Sequence, residues 1–269
     1  MHGVALHDLL VAQVCEAQDK YPALGLLVSD DGTYLVRGTV RFQVPYGGEE
    51  TCGEYDIELE IPRDYPDTPP TAWETGGMIP ETFHRFSDTG HLCLSAPVEV
   101  NRAFAHHRTL FGFVDQQVVP HLFSYSYFAK HGKMPFGELA HGANGLLDYY
   151  NAFFGQTDDL VSLAILELLA RGECPELLDC PCGSLRSLGE CHGPRMQELT
   201  RYYSPRDFYD ELIAMLVLYQ KGDRLREAIA SGPKSRTPRQ SLGDAPTREP
   251  GLYGHIGWAG AKASPVGRQ

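Results

Sequence analysis

The chain has 269 residues, of which 42% are hydrophobic, and its formal net charge is −12 at pH 7. This length allows one core of about 150 residues and a smaller unit. The negative charge would repel a polyphosphate backbone and excludes nucleic acid as a main partner. No run approaches the roughly 18 apolar residues of a membrane span, and the N-terminus lacks the early Lys or Arg of a signal peptide. We therefore expect a cytoplasmic protein with no membrane partner.

The N-terminal part predicts a helix followed by an antiparallel meander. Apolar residues recur at helical spacing over residues 3–19. Strands are then predicted by alternating apolar and polar residues over 24–28, 34–44 and 54–61. In this meander Arg37 and Arg41 should pair with acids of the third strand across the solvent face.

A proline-rich segment at 61–74 interrupts the sheet, because proline removes ladder donors, and allows only a short edge strand at 71–73. Cys93 follows, between Leu92 and Leu94. In an extended segment the two leucines would face the core, whereas Cys93 and His91 would share the other side. A lone thiol among apolar residues can also be a packed core residue, so both interpretations stand at this point.

The meander, Tyr65-Pro66, Pro69-Pro70 and Leu92-Cys93-Leu94 together resemble the core of a ubiquitin-conjugating enzyme. The resemblance covers about residues 3–155. It implies an α+β class with a UBC-like antiparallel four-strand meander and flanking helices. It also implies that Cys93 receives the C-terminus of a ubiquitin-like protein from an activating enzyme as a thioester. The acyl group would then pass to an amine of a protein substrate, usually a lysine.

The chain departs from the family at the histidine motif, where His84-Arg85-Phe86 replaces the His-Pro-Asn of eukaryotic members. The oxyanion donor of those members is therefore missing. The 98–108 insertion and a glycine-rich helix within 134–155 look more like the bacterial relatives.

Two histidines are candidate helpers of Cys93. His91 would relay a proton when neutral, or lower the pKa of the thiol when charged. His84 would hold the loop through a backbone hydrogen bond. Further candidates are a histidine pair that would deprotonate the incoming lysine and two substitute oxyanion donors: His106, His107, Asp88 and Asn101. The helix predicted after the cysteine spans 109–123, and Pro120 should shorten it.

A second constellation lies in the C-terminal half, at Cys180, Cys182, Cys191 and His192. Three thiolates and one imidazole form a closed tetrahedral set for Zn²⁺, with no open position for catalysis. The pattern resembles the SEC-C metal-binding motif. We therefore predict a structural zinc ion, with Cys174 as a spare thiol nearby.

The chain is predicted to contain a UBC-like conjugating domain at 1–155, followed by a helical unit at 156–232 with the zinc knuckle at 180–192. The tail at 233–269 is predicted to be disordered because it is rich in Gly, Pro and Ser. Two other functions stay open: a non-catalytic binder of ubiquitin-like proteins, and a zinc-containing adaptor that docks another protein.

Overall fold

A computed structural model of the protein describes residues 2–86, 88–136 and 142–221. The chain forms two compact units, which divide between residues 138 and 139. The predicted disordered tail and part of the glycine-rich helix lie outside the described residues. Among the helices of the described ranges, none combines the length and apolarity that a bilayer crossing requires.

The first unit begins with one helix and a sheet. The elements are α1 (His2–Gln18), β1 (Gly25–Val28), β2 (Tyr34–Tyr46), β3 (Glu49–Ile61) and β4 (Thr71–Glu74). The strands follow one another in the order β1-β2-β3-β4, and each neighbouring pair is antiparallel. The α+β class and the antiparallel four-strand sheet are therefore confirmed.

The two long strands show the predicted alternation. Ile57 and Leu59 of β3 are buried, whereas the intervening positions face solvent or are half-buried. Arg37 lies opposite Glu58 and forms an ion pair with it, and Arg41 pairs with Glu54. Exposed pairs of this kind contribute little to stability, because solvent screens them. They mark the register, which the alternation of buried and exposed residues sets.

A helical region follows the Cys93 segment. Its elements are α2 (Pro97–His106), α3 (Leu110–Phe113), a π-helix (Val114–Val118) and α4 (Val119–His131). The prediction that Pro120 shortens the helix is wrong, because helix continues to His131. Proline removes a donor and clashes with the carbonyl four residues earlier in a regular α-helix. Here the wider turn of the π-helix directly precedes Pro120, which sits in the first turn of α4.

The core of this unit lies between the sheet and the helices. Its fully buried members come from α1, the strands and the helical region: Leu10, Val40, Ile57, Leu59, Phe113, Leu122 and Phe123. A single apolar layer thus covers one face of the sheet, and the charged face with Arg37 and Arg41 stays in water.

The second unit contains four helices within the described residues 142–221: α5 (Gly142–Phe154), α6 (Asp159–Ala170), α7 (Gly193–Leu199) and α8 (Pro205–Lys221). α5 packs against α6 and α8. The predicted domain boundary at residue 155 therefore falls after a helix that belongs to this unit. Asp158 caps α6, since its carboxylate accepts the backbone N–H of Leu160 at 3.0 Å.

A buried carboxylate of α8 is hydrogen-bonded to α5 and to the segment that precedes α8. Glu211 of α8 accepts hydrogen bonds from the hydroxyls of Tyr150 at 2.5 Å and Tyr203 at 2.8 Å. Burial raises the pKa of Glu211, although the two hydroxyls favour its charged form. This carboxylate is therefore a site where folding and protonation are linked.

Candidate functional site

Cys93 lies in a short irregular hairpin, which we call the Cys93 hairpin and define as the described residues 84–86 and 88–93. The backbone N–H of Cys93 donates to the carbonyl of His84 at 2.7 Å, and that of Phe86 donates to His91 at 3.0 Å. Arg85 and Leu92 pair between these two bonds as an antiparallel bridge. The backbone of Cys93 is thus fixed by the strand opposite it.

The leucines on either side of Cys93 anchor the hairpin. Leu92 and Leu94 are 3% and 8% exposed, and both belong to the core of the first unit. The N–H of Leu92 also donates to the carbonyl of Ala72 in β4, at 2.8 Å. Cys93 itself is half-buried. Alternation along the segment therefore turns its thiol away from the core, as the sequence predicts.

The electrostatics of the thiol differ from the sequence expectation. Partial burial raises the pKa of Cys93 above its ordinary value. A nearby histidine cation would have lowered this pKa instead. At neutral pH the protonated thiol therefore predominates, and chemistry at this sulfur requires a base.

His91 occupies the hairpin strand next to Cys93. Its Nδ1 forms a short hydrogen bond with the hydroxyl of Thr89, and its ring stacks on Phe86 with centroids 4.1 Å apart. Trp73 meets the ring edge-on at 6.0 Å. Burial lowers the pKa of His91, so the imidazole is neutral at pH 7. A neutral imidazole fits the proton-relay role of the two roles predicted for it.

His84 takes part through its main chain. Its carbonyl is the acceptor for Cys93, and its φ of 40° is positive, a conformation that costs a non-glycine residue on the order of 1–3 kcal/mol. Its ring lies 4.9 Å from that of Phe83 and 6.3 Å from that of His121. The backbone bond predicted for His84 is present.

His121 is a site residue that sequence reasoning missed. It lies on α4, is 3% exposed, and its ring lies 6.3 Å from that of His84, whose carbonyl accepts the N–H of Cys93. Its Nε2 is buried without a hydrogen-bond partner among the described residues. Burial lowers its pKa to about 3. Its position between Pro120 and Leu122 in the first turn of α4 carries no spacing signal that links it to the cysteine.

The remaining candidates around Cys93 lie in or beside the hairpin and α2. His106 ends α2 and His107 caps it, and both side chains are exposed. Asn101 is half-buried within α2, and Asp88 is exposed in the hairpin. Most of the 98–108 insertion forms α2, and the roles of these side chains stay predictions.

A Cys/His cluster forms in the second unit. The ligand atoms of Cys180, Cys182, Cys191 and His192 lie within 4.8 Å of one another. The Sγ of Cys180 is 3.0 Å from Nδ1 of His192, and the Sγ of Cys182 is 3.4 and 3.5 Å from those of Cys180 and Cys191. Metal–sulfur bonds of about 2.3 Å in a tetrahedron separate the sulfurs by about 3.8 Å. The group can therefore hold a metal ion.

Neighbouring groups orient this cluster. Nε2 of His192 lies 3.0 Å from the carbonyl of Phe154, which leaves Nδ1 to face the thiols. The guanidinium of Arg186 and the hydroxyl of Ser184 each lie 3.4 Å from the Sγ of Cys191. A positive group beside three thiolates offsets part of their charge. The cluster thus connects the knuckle to the end of α5 through one imidazole.

Comparison of the chain with protein-family models, curated proteins and solved structures found no match. Two features of the molecule consequently point to its function. One is the half-buried thiol of Cys93 in its hairpin, and the other is the Cys/His cluster of the second unit.

Proposed function

We propose that the protein is a bacterial ubiquitin-conjugating-type enzyme with a UBC-like fold, whose Cys93 carries a ubiquitin-like protein. The thiolate of Cys93 attacks the thioester carbonyl on the activating enzyme, a new S–C bond forms, and the activating enzyme's thiolate leaves. A substrate amine then attacks the Cys93 thioester and loses a proton as the amide forms and the thiolate departs.

One observation carries this proposal: a half-buried thiol stands between two buried leucines beside a four-strand antiparallel sheet. The leucines and the bond to His84 hold the sulfur in one place while its outer side stays accessible. A carrier thiol needs this combination, since it must meet two different macromolecules in succession.

The raised pKa of Cys93 shapes the mechanism. The thiol must lose its proton before attack, and neutral His91 in the same hairpin is the group that we assign as proton acceptor. A thiolate of higher pKa is the stronger nucleophile and the poorer leaving group. Loading is therefore favoured over discharge, and the substrate amine needs help from an oxyanion donor. The amide of Asn101 is the candidate for this donor, because the carboxylate of Asp88 accepts hydrogen bonds and cannot donate one.

The test incubates the full chain with ATP, ubiquitin and a ubiquitin-activating enzyme, and in parallel with a peptide thioester that needs no enzyme. We expect an adduct on Cys93 that thiol reagents cleave. The Cys93→Lys variant should give a reductant-resistant amide instead. Cys52→Ser removes an exposed thiol of β3 and is the matched control, which should load normally. A labile adduct that survives Cys93→Lys would move the site to another cysteine.

For the second unit we propose that the Cys/His cluster binds a structural Zn²⁺ ion. The donor set of three thiols and one imidazole supports zinc over harder cations, and it leaves no open coordination position. The ion would join residues 180–192 to α5 through His192. One zinc per chain by elemental analysis is the expected result.

The raised pKa of Cys93 also supports a second candidate, a binder that holds a ubiquitin-like protein without transferring it. The two functions separate in the loading experiment, because a binder forms a complex but no covalent adduct. A zinc-containing adaptor would instead keep its partner when Cys93 is replaced and lose it when the cluster is replaced.

A further inference from the structure

The end of β4 and the Cys93 hairpin are joined by a buried ion pair. Nη2 of Arg85 lies 2.6 Å from Oε2 of Glu74, and the two side chains are 11% and 0% exposed. Burial of an ion pair costs several kcal/mol in desolvation, which only good geometry and further hydrogen bonds offset. Stability alone therefore does not explain why Glu74 and Arg85 are charged residues at this buried position.

The carboxylate of Glu74 organises the chain that leaves β4. Its Oε1 accepts the backbone N–H of Met78 at 3.1 Å, and its Oε2 accepts that of Ile79 at 3.2 Å. The segment after β4 is thereby wrapped around one carboxylate. Both oxygens are engaged before the contribution of Arg85 is counted.

The guanidinium of Arg85 connects the same segment to the hairpin. Nη1 donates to the carbonyls of Glu74 at 3.3 Å and Gly90 at 3.1 Å, and Nη2 donates to those of Glu74 and Ile79, both at 3.2 Å. These carbonyls belong to three separate stretches of chain. A planar group with several donors can serve them together, whereas an ammonium group cannot.

The link from Arg85 to the thiol is short. Arg85 pairs with Leu92 as a β-bridge, and the next residue pair is joined by the hydrogen bond from the N–H of Cys93 to the carbonyl of His84. The position of Arg85 therefore determines the position of the Cys93 backbone. Arg85 also binds the carbonyl of Gly90 in the hairpin. The N–H of Gly90 closes the turn, because it donates to the carbonyl of Phe86 at 2.7 Å. Movement of the guanidinium would therefore release the strand that carries Cys93.

We propose that the Glu74–Arg85 pair is the positioning device of Cys93, and that Arg85 is a positioning residue for thioester formation. This inference rests on the proposed function of Cys93 where it is tested by loading. Its test by alkylation of the thiol does not depend on that function. The pair keeps the thiol half-buried and aligned, and its loss leaves Cys93 more exposed and less competent at once.

The test compares wild type with Arg85→Met, Arg85→Lys and Glu74→Gln in the full chain. Alkylation of Cys93 by iodoacetamide is followed by mass spectrometry between pH 6 and 10, with Cys52 as the exposed internal reference. We expect alkylation of Cys93 at pH 7 to rise about tenfold, since exposure of the sulfur removes the burial that raises its pKa and opens it to the reagent. Loading with ubiquitin from the activating enzyme should fall about tenfold, because the sulfur is no longer aligned for transfer between two proteins.

The variants separate charge from geometry. Arg85→Lys keeps the charge and loses the fork, so it should resemble Arg85→Met and not wild type. Arg41→Met removes an exposed arginine of the same sheet, paired with Glu54, and should change neither readout. If Arg85→Met does not fold, as judged by circular dichroism, Arg85→Lys and Glu74→Gln carry the test.

An unchanged alkylation profile of Cys93 in the folded variants would overturn the proposal. A wild-type chain that never loads, combined with variants that shift the alkylation profile, would sink the carrier function and leave the positioning role standing. A wild-type chain that loads, with variants that load equally well, would support the carrier function and refute the positioning role of Arg85.

Discussion

The ring of His121 on α4 lies 6.3 Å from the ring of His84, and the carbonyl of His84 accepts the N–H of Cys93, so the helix that closes the core also reaches the segment of the candidate nucleophile. The imidazole is 3% exposed. Burial, with smaller contributions from His84 and Arg85, lowers its pKa to about 3. The folded protein therefore keeps His121 neutral throughout the physiological range.

The neutral state of His121 predicts an acid-sensitive first unit. His121 has a pKa of about 6.5 in the unfolded chain and of about 3 in the folded chain, so only the unfolded chain binds this proton between these pH values. Stability is then fully present above pH 6.5 and falls as the pH falls, by at most about 1.4 kcal/mol per pH unit. Urea unfolding in a Trp258→Phe background, where Trp73 of β4 is the single tryptophan, measures this slope.

His121→Leu should flatten the acid slope because it removes the titrating group. His106→Gln, at the exposed end of α2, is the control and should keep it. An equal slope in wild type and His121→Leu would show that other groups govern the acid limb.

The raised pKa of Cys93 predicts a distinctive alkylation profile in the unmodified protein. Its rate with iodoacetamide should keep rising with pH beyond the point where that of a free cysteine peptide levels off. Below that point each pH unit changes both rates about tenfold, since the thiolate is the reactive form. Peptide mass spectrometry follows Cys93 and the added peptide in one sample. Coincident curves for Cys93 and the free peptide would contradict the burial seen for Cys93.

Removal of the metal should destabilise the second unit. Cys191→Ser takes away one of four ligands, and we expect loss of bound zinc and a lower melting temperature for α5–α8. Cys174→Ser is the matched control, because Cys174 lies outside the ligand group. Zinc content by elemental analysis and hydrogen exchange of α5 amides give the two readouts. Full zinc occupancy in Cys191→Ser would refute the assigned ligand set.

Glu211 predicts a pH dependence of opposite sign in the second unit. Burial raises its folded pKa above the unfolded value of about 4.3, so the folded chain retains a proton that the unfolded chain has released. Stability therefore decreases as pH rises through that window and stays lower above it. Glu211→Gln should abolish this dependence while it keeps partners for Tyr150 and Tyr203. Hydrogen exchange of α8 amides, corrected for intrinsic rates, measures the change.

The parts of the fold that were predictable are those governed by local periodicity. Alternation in β2 and β3 fixes which side chains face the core, and the pairing of Arg37 with Glu58 follows from the register. The Cys/His spacing likewise brings four ligands together through one tight turn. In these cases the interacting residues lie close in sequence or on neighbouring strands.

The parts that were not predictable depend on contacts between distant segments. His121 reaches the Cys93 hairpin only because α4 packs on β2 and β3, and its sequence neighbours, Pro120 and Leu122, give no sign of that contact. In the sequence, Arg85 is notable only because it replaces the proline of the His-Pro-Asn motif. Nothing in the sequence shows that Glu74 is its partner. A packed core determines such pairs, and one sequence alone does not reveal them.

The π-helix at Val114–Val118 sets the angular position of everything after it. In a regular α-helix each residue turns the chain by about 100°, so one residue more or fewer ahead of α4 redirects every later side chain by that angle. Excision of a single residue from 114–118 would swing the imidazole of His121 away from the cysteine loop and bring the ring of Pro120 against a carbonyl. The wide turn therefore acts as a spacer that allows one helix to be both a wall of the core and a support for its reactive edge.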